Sequence, residues 1–332
     1  MAKFSRSTRA RKLGSGLLSR GQAHIAGMTD ELKLFDRPLL RRRRDRAAPG
    51  LAGHDFLLRE AGERLADRLP DIRRHFPLAL DLGCRDGLLA GILAGRGGIA
   101  RLIGSDPSFV MACRAGTAGE SVVVAEEEAL PFAPESFDLV LSLLNLHWVG
   151  DLPGALLQIR QALKPDGLFL GVMFGLGTLG ELRDCLLAAE SELRGGAGPR
   201  VSPFADLRDA AGLLQRAGFA LPVADTETLT VTYPDALALM RDLRGMGEAN
   251  ALAARPQGFA GRELFAQTAA LYAERHGDAA GRIPARFQLI FLTGWAPDES
   301  QQKPLRPGSA RHRLAAALDT TEHSAGDPAR PK

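Results

Sequence analysis

The chain has 332 residues, 45% of them hydrophobic and 24% charged, enough apolar material for a full core and unlike a disordered or fibrous chain. A net charge of +3 is too mild to imply a nucleic-acid partner, and no apolar run is long enough to span a membrane. Three scattered cysteines, Cys84, Cys113 and Cys185, lack paired spacing and read as reduced thiols, not as a disulfide or zinc framework.

Residues 1–33 form a basic leader, in which Lys3, Arg6, Arg9, Arg11, Lys12 and Arg20 precede the first acid. It is either a disordered bacterial N-terminus or a mitochondrial transit peptide. Residues 34–76 follow as a helical segment. There Leu34-Phe35-Asp36-Arg37 leads into the run Arg41-Arg42-Arg43-Arg44-Asp45-Arg46, which is either a solvated face or a surface for an acidic partner. From Asp55 to Leu69, Phe56, Leu57, Leu58, Ala61, Leu65 and Leu69 recur at helical spacing, so an amphipathic helix packs on a sheet until Pro70 stops it.

Leu78 to Ala90 then reads as a buried strand, a glycine turn and a helix. Gly83 and Gly87 permit tight turning and close approach of a ligand. Asp81 stands at the strand's carboxyl end, where open α/β sheets bind ligands. Further strands are expected at Arg101–Ser105, Ser121–Ala125, Phe137–Leu144 and Leu168–Phe174, with a helix over Asp151–Leu163 and a turn at Lys164-Pro165-Asp166-Gly167. This alternation predicts an α/β fold with right-handed crossovers and a doubly wound parallel sheet. Helices over Thr178–Arg194 and Asp206–Ala217, a strand over Thr226–Thr232, a helical insertion over 234–277 and a last strand over Arg286–Trp295 complete a domain spanning 77–296. Residues 297–332 read as a flexible tail.

Asp81, Asp106 and Glu126 fall at the carboxyl ends of successive strands, where one ligand across the sheet edge meets all three. An acid after the second strand suits ribose hydroxyls and one after the third suits an adenine amino group, which favours a nucleoside over three unrelated loop carboxylates. Asn145 and His147 follow the fourth strand, near the reacting end of such a ligand. His147 is either a base or orienting group, or one half of a packed pair with Trp148. His276-Gly277-Asp278 has the short spacing of a metal pair but lies in a hydrophilic loop and reads as a solvated turn, so no metal site is expected.

Asp81-Leu82-Gly83, Asp106, Glu126-Glu127-Glu128-Ala129-Leu130-Pro131-Phe132, Phe137-Asp138-Leu139-Val140 and Leu163-Lys164-Pro165-Asp166-Gly167 resemble the motifs of class I S-adenosylmethionine (SAM) methyltransferases. The arginine run, Asn145-Leu146-His147-Trp148-Val149, Met173-Phe174-Gly175, Ser202-Pro203-Phe204, the stretch Asp242 to Asn250 and Gly294-Trp295 narrow the resemblance. They resemble the arginine-hydroxylase branch, the methyltransferase-like assembly factor 5 family of respiratory complex I, with its bacterial members. The resemblance spans most of Leu34 to Trp295. It implies a Rossmann-like seven-stranded sheet with its last strand antiparallel and helical cap insertions. It also implies SAM bound by Asp81, Gly83, Asp106, Glu126 and Glu127; Arg85 and Gly87 of the same turn are further cofactor-binding candidates, and Asn145 and His147, by their place after the fourth strand, are the catalytic candidates.

The implied activity is hydroxylation of an arginine in the iron–sulfur subunit beside the quinone site of complex I, or else methyl transfer, the superfamily's default. The implied place is the bacterial cytoplasm, or the mitochondrial matrix if the leader is a transit peptide, with any membrane association peripheral. A carrier-protein or small-molecule O-methyltransferase as in biotin synthesis, and a non-catalytic assembly chaperone, are the alternatives. The superfamily's D-x-G-x-G-x-G pattern has a glycine where this chain has Arg85. That side chain either crowds the methionine end of SAM, points outward or binds the ligand's carboxylate. In the cap, Asp242, Glu248 and Glu263 either pair with an arginine-bearing peptide or are solvated.

Overall fold

The computed structural model describes residues 33–119, 121–302 and 314–321, so the basic leader up to residue 32 and most of the tail lie outside the described residues. Strands β1 (Leu78–Leu82), β2 (Arg101–Asp106), β3 (Ser121–Val124), β4 (Phe137–Leu143), β5 (Leu163–Phe174), β6 (Ala220–Tyr233) and β7 (Ile283–Trp295) form one sheet in the order β3-β2-β1-β4-β5-β7-β6. The first five pair in parallel, and β7 runs antiparallel between β5 and β6. The seven-stranded expectation is met. The strand order reverses beside β1, which opens a crevice at the carboxyl ends of β1, β2 and β4.

Two strands outrun their sequence signals. The expected turn at Lys164–Gly167 belongs to β5, because Gly167 accepts from the Ala296 amide at 2.8 Å and the Asp166 amide reaches Ala296 at 3.2 Å. Asp166 adopts a left-handed φ of 59° there. β6 pairs with β7 from Ala220 to Tyr233, with an irregularity between Ala220 and Val223, so the threonine alternation marks only its second half.

Helices follow from local chemistry. α1 (Arg37–Ala47) is capped by Asp36, whose carboxylate accepts the Leu39 amide at 3.0 Å, and has Pro38 in its first turn. α2 (Phe56–Ala66) buries Leu57, Leu58, Ala61 and Leu65. α3 (Leu88–Ile92) starts after Gly87, and α4 (Phe109–Thr117) is capped by the Ser108 hydroxyl. α5 (Leu152–Ala162) and α7 (Leu207–Arg216) are capped by Asp151 and Asp206, with α6 (Gly180–Arg194) between them in sequence. α8 (Ala236–Gly245) and α9 (Arg262–His276) lie within the inserted stretch.

Both sheet faces are covered, as a parallel sheet requires. One core joins Leu57, Leu65, Leu182, Leu239 and Phe287, and the other joins Leu156, Ile159, Leu214, Phe169 and Ile290. Each such buried side chain contributes roughly 1.5–3 kcal/mol before entropy is counted. A third, smaller cluster of Phe35, Leu40, Trp148, Ala251 and Leu252 positions the site. It seats α1 across the sheet's carboxyl edge, helped by Phe35 edge-on to Trp148 at 5.3 Å and by the Asp36 amide donating to Ala251 at 2.8 Å.

Candidate functional site

The turn after β1 passes through three left-handed residues, Gly83 (φ 81°), Arg85 (φ 52°) and Gly87 (φ 86°). The Gly83 and Cys84 amides both donate to the Ser105 carbonyl, at 2.7 and 3.0 Å, which ties the turn to β2. A Cβ on Gly83 would collide with the Asn145 side chain, so glycine is required there twice over. Asp81, Asp106, Glu127 and Asn145 are all buried around this turn, and Glu126 lies at its rim.

Arginines from α1 enter this acidic pocket. Arg44 is completely buried, with Nη1 3.4 Å from Asp106 and 3.6 Å from Glu127, while Nη2 donates to Asn145. Arg37 donates through Nε to Glu126 at 2.9 Å, through Nη1 to the Trp148 carbonyl at 2.9 Å, and through Nη2 to both Glu126 and Glu127. Asp106 also accepts the amides of Ser108 (2.8 Å) and Arg85 (3.0 Å), and Asn145 donates to Glu127 at 2.8 Å. The arginine run is therefore not a plain solvated face. Arg37 and Arg44, two helical turns apart, point inward with Leu40 between them.

Burial opposes ionisation of Glu127, but Arg37, Arg44 and the Asn145 amide outweigh it and hold its carboxyl below the usual range. At Asp106 burial prevails over Arg44 and raises the pKa.

Arg85 neither points outward nor remains available to a ligand carboxylate. Its Nη1 donates to the Met246 carbonyl and its Nη2 to the Leu144 carbonyl, each at 3.0 Å, and Nη2 pairs with Glu248. Its left-handed backbone costs about 1–2 kcal/mol, which these bonds offset. Glu248 comes from the loop after α8 and also accepts from Trp148 Nε1 at 2.7 Å and contacts His147 Nε2 at 3.1 Å. Burial pushes Glu248 up, yet Arg85 and His147 outweigh it and bring its carboxyl down to about 2.

His147 has a side chain only 1% exposed and packs against Phe174 at 4.6 Å and Trp148 at 5.5 Å. Burial lowers its pKa against the pull of Glu248, so the ring is neutral at pH 7, able to accept a proton but sealed from solvent. Asp242 contacts His54 Nδ1 at 2.6 Å and accepts from the Tyr233 hydroxyl at 2.8 Å. Of the three cap acids, only Glu263 is exposed.

Arg37 and Arg44 were missed as site residues, though their spacing on an arginine-rich helix of low apolar content was the available signal. No signal placed Glu248 beside Arg85. Among the described residues no group of three or more His, Cys, Asp or Glu side chains could hold a metal. Beside the site, under α8 and α9, lies a chamber of about 520 Å³ lined by Trp148, Phe174, Phe204, Phe287, Leu182 and Leu243, with Glu248 in its wall. Gly83, Asp106 and Glu127 do not border it.

A family model described as "Methyltransferase domain" matches residues 80–171, which carry the turn, Asp106, Glu126, Glu127 and β4. The arginine-hydroxylase NDUFAF5, mitochondrial, of Danio rerio is 44% identical over 86% of this chain and 89% of its own length. The chain belongs to the arginine-hydroxylase NDUFAF5 family. Within the same SAM methyltransferase superfamily, a malonyl-[acyl-carrier protein] O-methyltransferase of Methylovorus is 33% identical over 87% of this chain and all of its own length. The crystal structure of the YcgJ protein of Bacillus subtilis matches with a TM-score of 0.51 at 16% identity, over 70% of this chain and 98% of that one, and bears on the fold alone.

SAM is the cofactor of that superfamily, and this NDUFAF5-family chain fits its adenosyl half in kind, with a glycine turn followed by carboxylate acceptors at Asp106, Glu126 and Glu127. In the arrangement described, Arg37 and Arg44 bond to those same carboxylates.

Proposed function

We propose that this protein is a SAM-dependent enzyme that modifies a protein side chain during assembly of respiratory complex I. The substrate is the iron–sulfur subunit beside the quinone site, and the reaction is either arginine hydroxylation, which needs an oxidant at the level of dioxygen besides SAM, or methyl transfer, for which SAM alone supplies the group. The observation that carries this is the likeness to the mitochondrial arginine hydroxylases over 86% of the chain. The compartment follows from the partner, as the mitochondrial matrix or the bacterial cytoplasm. No helix among the described residues is long and apolar enough to cross a membrane.

Asp106 takes the ribose, Glu126 and Glu127 the adenine, and Asp81 with the turn Gly83–Gly87 the remainder of the cofactor. When bound, SAM supplies a sulfonium with a transferable methyl group. This chain's own residues bind and orient, and such chemistry draws chiefly on proximity. Asn145 holds Glu127 in place, and neutral His147 is set to accept a proton once the cap loop carrying Glu248 moves. Residues 34–76 and the insertion 234–277 act as the cap on a SAM-binding domain spanning 77–296.

A second reading, carboxyl methylation of a carrier-bound acid, is favoured by the malonyl relative, 33% identical over 87% of this chain. Deleting the gene, purifying complex I and weighing intact peptides of the iron–sulfur subunit separates the possibilities. An oxygen-sized mass lost from the peptide supports hydroxylation, and a methyl-sized mass lost supports methyl transfer to the subunit. An unchanged mass sinks modification of that subunit. Poor assembly alongside an unchanged mass points to a chaperone, and normal assembly points to the carrier substrate.

A further inference from the structure

α1 and α8 face each other across a cleft of about 460 Å³ walled by Arg43, Arg46, Arg241 and Arg244, with His54 also in its lining and no carboxylate residue among the lining side chains. Among the described residues none of these four arginines is ion-paired. Arg43 donates only to the Asn250 carbonyl. The contrast with their neighbours is plain, since Arg37 and Arg44 are held by buried acids, Arg200 by Glu190 and Arg255 by Asp36. Burial, together with Arg255 and Arg46, lowers the pKa of Arg43 against the opposing pull of Asp36.

The cleft is not an isolated basic patch. Arg43, Arg244 and Ala249 border both it and the apolar chamber of about 520 Å³, so the arginines stand where the two spaces meet. A chamber of this size falls in the range of roughly 300–1,000 Å³ typical of small-molecule sites. Its Phe, Leu and Trp lining suits a hydrocarbon body. Four guanidinium groups without an ion pair exceed what one carboxylate neutralises and suit the divalent, three-oxygen head of a phosphate monoester.

We propose that cleft and chamber together bind a phosphorylated amphiphile, with its phosphate among Arg43, Arg46, Arg241 and Arg244 and its apolar chain in the chamber. This is independent of SAM binding and of the reaction proposed above.

Trp148 lines the chamber, so its fluorescence reports occupancy. Dodecyl phosphate, titrated below its micelle concentration into the full-length protein, shifts the emission and binds at least about tenfold more tightly than hexyl phosphate or inorganic phosphate. R46Q/R241Q, at two exposed positions, weakens dodecyl phosphate about tenfold with an unchanged melting temperature. Ala260→Trp, which narrows the chamber, removes the chain-length dependence but leaves inorganic phosphate binding intact. Lysophosphatidic acid and farnesyl phosphate then assign the source, the tighter of the two marking a glycerolipid or an isoprenoid. The proposal is overturned if dodecyl phosphate fails to bind, if inorganic phosphate binds as well as it does, or if R46Q/R241Q binds like wild type. Binding only to phosphatidic acid vesicles, with no response to the monomer, overturns it in favour of a membrane surface.

Discussion

On one side of α1, Arg37 and Arg44 reach into a pocket of carboxylates and pair with Asp106, Glu126 and Glu127. On the other side, Arg43 and Arg46 face Arg241 and Arg244 across an open cleft with no acid in it. The residue type and the helix are the same, and only the direction around the helix differs. An arginine's role is set by the charge it meets. Against acids it is structural glue, and against other arginines it leaves a positive field for something else to neutralise.

The hardest way to break the first region is Arg44→Met. It leaves Asp106 buried without its cation and Glu127 with Arg37 alone, and thermal or urea unfolding should show a loss of about 3–5 kcal/mol. A loss below about 1 kcal/mol would mean the pocket opens to water instead. Gly83→Ala follows, at about 1–3 kcal/mol, because it combines a positive φ with a clash against Asn145.

Acid tests the link from this pocket to the cap. Glu248 ionises near 2 in the folded chain against an ordinary 4.5, so its contribution is complete above about pH 4.5 and is lost as pH falls toward 2. His147, lowered from an ordinary 6.5, also contributes stability that is lost on acidification, starting at higher pH. Glu248→Gln should flatten the decline of the urea midpoint below pH 4.5 while keeping the earlier loss. An unaltered slope would dissolve the assigned pairing of Glu248 with Arg85 and His147.

Arg37→Ala sharpens the contrast with the smallest expected effect. Removing a competitor for Glu126 and Glu127 should tighten SAM binding several-fold by calorimetry and leave dodecyl phosphate binding unaltered. Weaker SAM binding would make Arg37 part of the nucleoside site instead of its rival.

The strand–turn–helix at Leu78–Ala90 was legible because a short apolar run closed by Gly83 and Gly87 admits few other backbones. The acids at Asp81, Asp106 and Glu126 were legible as a set because parallel strands deliver their carboxyl ends to one edge, and Glu127 entered only through the family resemblance. The extent of β6 was not, since residues 220–225 lack alternation and are extended only because β7 pairs with them. Arg85 illustrates the limit. Its departure from glycine was visible, but its course depends on Leu144, 59 positions away, and on Met246 and Glu248, 161 and 163 positions away.

The sequence by itself determined the sheet, the turn and the placement of acids at the sheet edge, because these follow from apolar periodicity, glycine backbone freedom and the direction of parallel strands. Only the tertiary structure decided which arginines meet those acids and which are left facing one another, because that depends on how α1 is rotated against the sheet edge and α8. That rotation is set by the packing of Phe35 and Leu40 on Trp148, Ala251 and Leu252, a contact between segments far apart in the chain.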